Sequence, residues 1–217
     1  MTLRLKNIAI HKTDGSALLS NFSLKVENGE IMTLMGPSGC GKSTLLDVIA
    51  GHLASDFQYS GTIEINGKAI DSLPAHQRGV GILFQDDLLF PHLNVWENLA
   101  FALPESVSGD DRKQQALTAL SNVSLSELAN AYPEQISGGQ RARISLIRML
   151  LAKPKVALLD EPFSKLDTEL RVQFRQWVVE QLLRENIPTL LVTHDKDDVP
   201  AGSPVFNWPK EGAVHAR

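Results

Sequence analysis

Two kinds of apolar pattern divide the chain. Early on, apolar and polar positions alternate: in "LRLKNIAI" from Leu3, in "NFSLKVENGE" from Asn21, where Phe22, Leu24 and Val26 oppose Ser23, Lys25 and Glu27, and in "GTIEINGKAI" from Gly61. That period predicts strands with one buried and one wet face, hence an antiparallel sheet. Asn66-Gly67, inside the third segment, predicts a tight hairpin. Four other runs, "EIMTLM", "VGILFQ", "KVALLD" and "IPTLLVTH", are short and apolar throughout, as suits a parallel sheet covered on both faces. They end at Gly36, Gln85, Asp160-Glu161 and His194. Open parallel sheets bind ligands beyond the carboxyl ends of their strands, so these four ends are expected to share one crevice.

Between Gln85 and Val156 the pattern turns helical. "NVWENLAFAL" predicts a short helix, and "DDRKQQALTALSNV" predicts an amphipathic one with acidic residues in its first turn, where the helix dipole favours them. "ISGGQRARISLIRML" opens with Ser137 and two glycines. Its apolar stripe is Ile144, Ile147 and Leu151, while Arg141, Ser145 and Arg148 lie on another face. The stretch reads as a helical insertion between two strands of the parallel sheet. The tail after Pro200 reads as irregular apart from a strand near Val205.

"GPSGCGKST", Gly36 to Thr44, lies between a predicted strand and the helical "LLDVIAGHL" and fits a phosphate-binding loop in pattern and context. Gly36, Gly39 and Gly41 let the backbone wrap closely, so that N–H groups and the helix start face phosphate oxygens; Pro37, Ser38 and Cys40 complete the loop, Cys40 as a small filler. Lys42 supplies a point charge to the β- and γ-phosphates, Ser43 a hydroxyl to magnesium and Thr44 a hydroxyl to phosphate. "KVALLDEPF" supplies the acids: Asp160 for the magnesium shell and Glu161 to orient or deprotonate a water. Gln85 is suited to the metal or the hydrolytic water, and His194 to the γ-phosphate.

Bulk properties narrow the classes. The 217 residues, 43% apolar and 21% charged, suit one sizeable soluble domain. A net charge of −4 gives no electrostatic ground for a nucleic-acid partner. The single cysteine excludes an internal disulfide. No secretory signal or membrane span is expected, because the N-terminus alternates and the most apolar stretch is broken by Arg148, Lys153, Pro154 and Lys155.

Together these motifs resemble the ATP-binding subunits of ABC transporters, of the bacterial importer type, over nearly the whole chain. The phosphate loop, Gln85 as Q-loop glutamine, "SGGQ" at 137 to 140 as signature, Asp160-Glu161 as Walker B acid and catalytic glutamate, "SKLD" at 164 to 167 as D-loop and His194 as switch histidine stand in the family's order. The resemblance implies an α/β P-loop NTPase fold: residues 1–85 and 156–217 as a RecA-like core carrying the antiparallel subdomain, and residues 86–155 as a helical subdomain. It further implies ATP and Mg²⁺ as cofactors and a head-to-tail pair of chains. In that pair Ser137, Gly138, Gly139, Gln140 and Asp167 of one copy meet the ATP of the other.

Implied partners are transmembrane permease subunits and a solute-binding protein, at the cytoplasmic side of the bacterial inner membrane. "DDLLFPHLNVWENL", with Leu88, Leu89, Phe90, Leu93 and Trp96, is expected to divide between core and a groove for a permease helix. The alternatives are an ABC ATPase acting on nucleic acid or ribosomes, disfavoured by the lack of coiled-coil arms or a second cassette, and a small-molecule phosphotransferase, for which the signature would have no use.

The chain departs from the family pattern in four places. Ile136 replaces leucine, which conserves volume, and Lys165 stands where the D-loop is normally small. The ending after Pro200 is shorter than the family's usual one, and no regulatory domain is expected there. "AIHKTDG" lacks the aromatic residue that stacks on adenine, with His11 or Lys12 in its place, so discrimination against GTP is expected to be weak. Competition of GTP against ATP for hydrolysis checks this; strong adenine selectivity would refute it.

Overall fold

The computed structural model describes residues 1–208 except Lys165 and Asp167, so the expectations for those two D-loop residues lie outside the described part. The chain opens with strands β1 (Leu3–Lys12) and β2 (Ala17–Val26), crosses to β3 (Ile31–Met35) and helix α1 (Lys42–Ala50), and returns with β4 (Phe57–Ile65) and β5 (Lys68–Ala69). After β6 (Val80–Leu83) come α2 (Val95–Ala102), α3 (Gly109–Ser121) and α4 (Gly138–Leu151). The chain then runs through β7 (Val156–Asp160), α5 (Thr168–Glu185), β8 (Thr189–Thr193) and β9 (Val205–Asn207).

The alternating segments form an antiparallel sheet of order β2-β1-β4-β5. Leu3, Leu5, Ile8 and Ile10 of β1 face inward with Ile63 and Ile65 of β4. The alternation slips at Asn7, which has φ 51°, where the β1–β4 register also shifts. Opposite, Gly61 has φ 106°, and a Cβ there would sit 2.6 Å from the Asn7 carbonyl oxygen, so the bulge requires glycine. Asn66 and Gly67 turn the β4–β5 hairpin with φ of 54° and 74°, pairing Ile65 with Lys68.

The four continuously apolar runs, joined at one edge by β9, form a second sheet, parallel throughout, of order β6-β7-β8-β3-β9. Each face has its own core. Leu34, Leu158, Leu190 and Val192 pack with Leu45, Leu46 and Ile49 of α1 and with the inner face of the antiparallel sheet. Leu159 and Leu191 point the other way, onto Phe174, Val178 and Leu182 of α5. A third cluster joins Val95 and Leu99 of α2, Ala116 and Leu120 of α3, and Ile144 and Ile147 of α4. Helix α4 contributes to two clusters, since its Leu146 and Met149 pack with α5 and the sheet.

Helix α1 begins at the phosphate loop and ends against Arg78, which is 6% exposed. The Arg78 guanidinium donates to the carbonyls of Val48, Ile49, Leu73 and Asp71 at 2.8 to 3.1 Å. It thereby satisfies the last carbonyls of the helix and places positive charge at the negative end of its dipole. Replacing it by methionine keeps the bulk and orphans these oxygens. R78M is expected to lower the unfolding free energy by about 3 kcal/mol, read from urea denaturation; an unchanged midpoint would refute the anchoring role.

Candidate functional site

Because all strands of the second sheet are parallel, the carboxyl ends of β6, β7, β8 and β3 lie along one edge, with β7 beside β8 and β8 beside β3. The Gly36 and Glu161 amides donate to the carbonyls of Thr193 and Val192, tying the three ends together. The residues expected at the ends of β3, β7 and β8 therefore meet.

The phosphate loop wraps around its own lysine. Lys42 Nζ donates to the carbonyls of Gly36 at 2.8 Å and Pro37 at 2.7 Å, with Cys40 Sγ at 3.7 Å, and the residue is 4% exposed. A buried ammonium needs such acceptors, and these fix its position over the loop. Gly41, just before α1, has φ 102°, and a Cβ there would meet Leu18 at 2.6 Å, so both backbone and packing demand glycine. Pro37, Ser38 and Gly39 are exposed around the helix start, as is Ser43.

Ser43 Oγ donates to Asp160 Oδ1 at 3.0 Å, joining the two expected metal ligands from α1 and β7. Burial raises the Asp160 carboxyl above its ordinary value of 3.8, opposed by the Ser43 hydrogen bond. Asp47, one turn along α1, is raised by burial and then by repulsion from Asp160. Among the described residues no three His, Cys, Asp or Glu side chains form a metal cage. One hydroxyl and one carboxylate instead fit a magnesium ion that keeps water and phosphate oxygens in its shell.

Glu161 follows Asp160 in a left-handed conformation, φ 46°, uncommon for a non-glycine residue. The turn is held by Ser164, whose amide and hydroxyl both donate to the Glu161 carbonyl, and by buried Phe163, edge-on to Phe174 of α5 at 5.9 Å. Glu161 Oε1 lies 3.0 Å from Nδ1 of His194, whose side chain is 47% exposed.

Strand β6 stops at Leu83 rather than running to Gln85, which is exposed on the following turn and lines a cavity of about 360 Å³ with Gly138, Arg141, Ser145 and Pro162. Asp87, two residues beyond it, is clamped by α4: Arg141 Nε donates to Asp87 Oδ2 at 2.8 Å, and Ser145 Oγ and Arg148 donate to the Asp87 carbonyl at 2.6 and 3.3 Å. The polar face of α4 thus grips a loop. No periodicity reports such a clasp.

The signature forms the start of α4. Ser137 caps it, accepting from the Gln140 amide at 3.3 Å while Gln140 Oε1 accepts from the Ser137 amide at 2.8 Å. A Cβ on Gly138 or Gly139 would meet only ordinary contacts, Arg141 at 3.7 Å and Leu170 at 3.7 Å, and neither residue has positive φ. Among the described residues nothing requires glycine there.

The apolar segment after Gln85 divides between core and surface. Leu89 is buried in the helical core, whereas Leu88 is 54% exposed and Phe90, Leu93 and Trp96 are half-buried. Sequence reasoning missed Phe101, 66% exposed, which packs against Phe90 at 4.8 Å and lines a groove of about 320 Å³ with Leu88, Phe90 and Met149. Within α2 it reads as one more core residue.

A phosphate loop facing a hydroxyl–carboxylate pair and a glutamate–histidine pair on one parallel-sheet edge defines a P-loop nucleoside triphosphatase. The chain belongs to the ABC transporter family, whose model matches residues 19–164. It is 48% identical over 205 residues to the uncharacterized ABC transporter ATP-binding protein YnjD of Escherichia coli K12, covering 94% of each chain. It is 44% identical to the spermidine/putrescine import ATP-binding protein PotA of Aliivibrio fischeri and 41% identical to the sulfate/thiosulfate import ATP-binding protein CysA of Mannheimia succiniciproducens. The matches cover 93% and 91% of this chain but 54% and 56% of those proteins. The structure of CbiO1 from Clostridium perfringens, part of the ABC transporter complex cbiONQ, superposes with a TM-score of 0.82 at 28% identity, over 94% of this chain and 83% of that one. The protein is accordingly an ATP-binding subunit of the ABC type and an ATPase. Among the described residues no helix is long and apolar enough to cross a membrane.

The raised Asp160 carboxyl has a consequence for stability. A carboxyl held above its unfolded value binds protons more tightly when folded, so stability falls as pH rises from 3.8 through the folded value. D160N keeps an oxygen for Ser43 and removes the charge that also burdens Asp47. The nucleotide-free variant is expected to melt at a higher temperature than wild type at pH 7, the gain shrinking as pH falls towards 3.8, while losing ATPase activity. Thermal melts across pH check the sign.

Proposed function

We propose that the protein is the energy-coupling subunit of a bacterial ABC importer, in which two copies bind head to tail around shared ATP. The reading rests chiefly on the two 3.0 Å pairs, Ser43–Asp160 and Glu161–His194, set beside Lys42 on one sheet edge. Lys42 and the loop amides of residues 36 to 44 bind the β- and γ-phosphates. Ser43 and Asp160, with Gln85, would hold Mg²⁺, which supplies charge neutralisation at the phosphates when bound. Glu161 takes a proton from the attacking water, and His194 keeps that carboxylate in place. Water oxygen bonds to the γ-phosphorus as the bond to the bridging oxygen breaks, and ADP carries that oxygen away.

The free glycine positions at 138 and 139 support the second half of the site. A backbone on which no described residue imposes glycine suits close approach by something outside the chain, and the amides of a helix start, with the Ser137 hydroxyl, suit a γ-phosphate. Ser137, Gly138, Gly139 and Gln140 of one copy then close over the ATP bound by the other, with Asp167 at the same contact. Nucleotide joins the copies and hydrolysis lets them part.

The groove of Leu88, Phe90, Phe101 and Met149 is assigned to a short helix of a transmembrane permease, next to the Gln85 turn, so that nucleotide state and permease conformation are linked. The named import functions of PotA and CysA favour uptake, with a solute-binding protein outside and this subunit peripheral on the cytoplasmic face of the inner membrane. E161Q is expected to slow ATP turnover at least about 100-fold and to form a dimer with Mg-ATP in light scattering, while E161Q/S137R stays monomeric. A monomeric E161Q at high concentration would overturn the sandwich.

A further inference from the structure

We propose that Arg171, in the first turn of α5, is a positioning residue for His194, an inference that rests on the role given to His194 above. The histidine has little of its own to hold it. It is half exposed, and its recorded partner is the Glu161 carboxylate that it must itself steady. Its orientation therefore depends on the backbone of Thr193 and Asp195, the residues on either side.

Both neighbours are tied to Arg171. The guanidinium forms a fork on Asp198, Nε to Oδ1 at 2.7 Å and Nη2 to Oδ2 at 2.6 Å, and Nη2 also reaches Asp195 Oδ2 at 2.8 Å. Asp198, 2% exposed, in turn accepts from the Thr193 hydroxyl at 2.9 Å, and that hydroxyl accepts from the Asp195 amide at 3.1 Å. Asp195 also accepts from the Asp197 amide at 3.0 Å, closing the turn. One planar cation thus fixes the residue before His194 through Asp198 and the residue after it directly. These carboxylates hold the guanidinium strongly in its charged form. A lysine keeps the charge but presents a point rather than a fork, so it cannot grip both carboxylates in the same plane.

R171K is expected to fold, to bind ATP with KM within about threefold of wild type, and to lose kcat about 10- to 100-fold, as for a misplaced catalytic group. D195N, which leaves the buried Asp198 fork intact, is expected to show a smaller loss of the same kind and is read in place of R171K if that variant does not fold. The decisive comparison is with H194A. If Arg171 acts through His194, R171K costs nothing further in an H194A background, and the His194 ring resonance in NMR spectra of R171K moves away from its wild-type position. Wild-type kcat in R171K, an unshifted ring resonance, or losses that multiply in the double variant would overturn the positioning role while leaving the site reading intact. Wild-type turnover in H194A would overturn the reading of His194 itself and this inference with it.

Discussion

A parallel sheet covered on both faces leaves ionisable groups nowhere to go but its ends, and the site follows from that constraint. Every residue of β8 is buried, as are four of the five of β7, so a charge in mid-strand would be left without solvent or partner. The charges gather beyond the strand ends, where turns and a helix start supply polar backbone. Even there, burial has to be offset. Lys42 depends on two carbonyls of its own loop, Asp160 on the Ser43 hydroxyl against a raised pKa, and Glu161 on a left-handed backbone held down by Ser164 and Phe163. Such strained and desolvated groups persist because cores on both sides of the sheet hold the frame in place.

How much of this the sequence disclosed depended on whether a feature was local. Alternation in "NFSLKVENGE" and its absence in "KVALLD" separated the two sheets, because the period reports how many faces of a strand are buried. Asn66-Gly67 gave the hairpin because its turn needs two residues that accept positive φ. Gly36 to Thr44 could be read because loop, strand and helix are contiguous. Strand order could not: Val205 pairs with Thr33 across 172 positions, and no local property records that partner. The same limit hid the grip on Asp87. Arg141, Ser145 and Arg148 have the spacing of a solvated face, and only the fold brings the loop beneath them.

Helix α4 shows how one element serves several ends. Ile144 and Ile147 seat it among α2 and α3, Leu146 and Met149 seat it on α5 and the sheet, and its polar side holds the turn after Gln85. Its first residues carry the signature. A helix committed on three sides cannot shift its amino end without moving the Asp87 loop and the groove beside it, since close-packed interiors transmit displacement rather than absorb it. The proposed coupling of nucleotide to permease needs no further moving part.

The glycines of the two phosphate-facing segments separate internal from external requirements. Gly41 is fixed by its φ and by Leu18, and would be glycine whatever the loop bound, whereas Gly138 and Gly139 meet no such demand among the described residues. Among the described residues, a Cβ on Gly139 would meet Leu170, and the next residue along is Arg171, which holds the His194 turn. The first turn of α5 therefore lies between the segment proposed to meet a second copy's ATP and the histidine proposed to act on the chain's own.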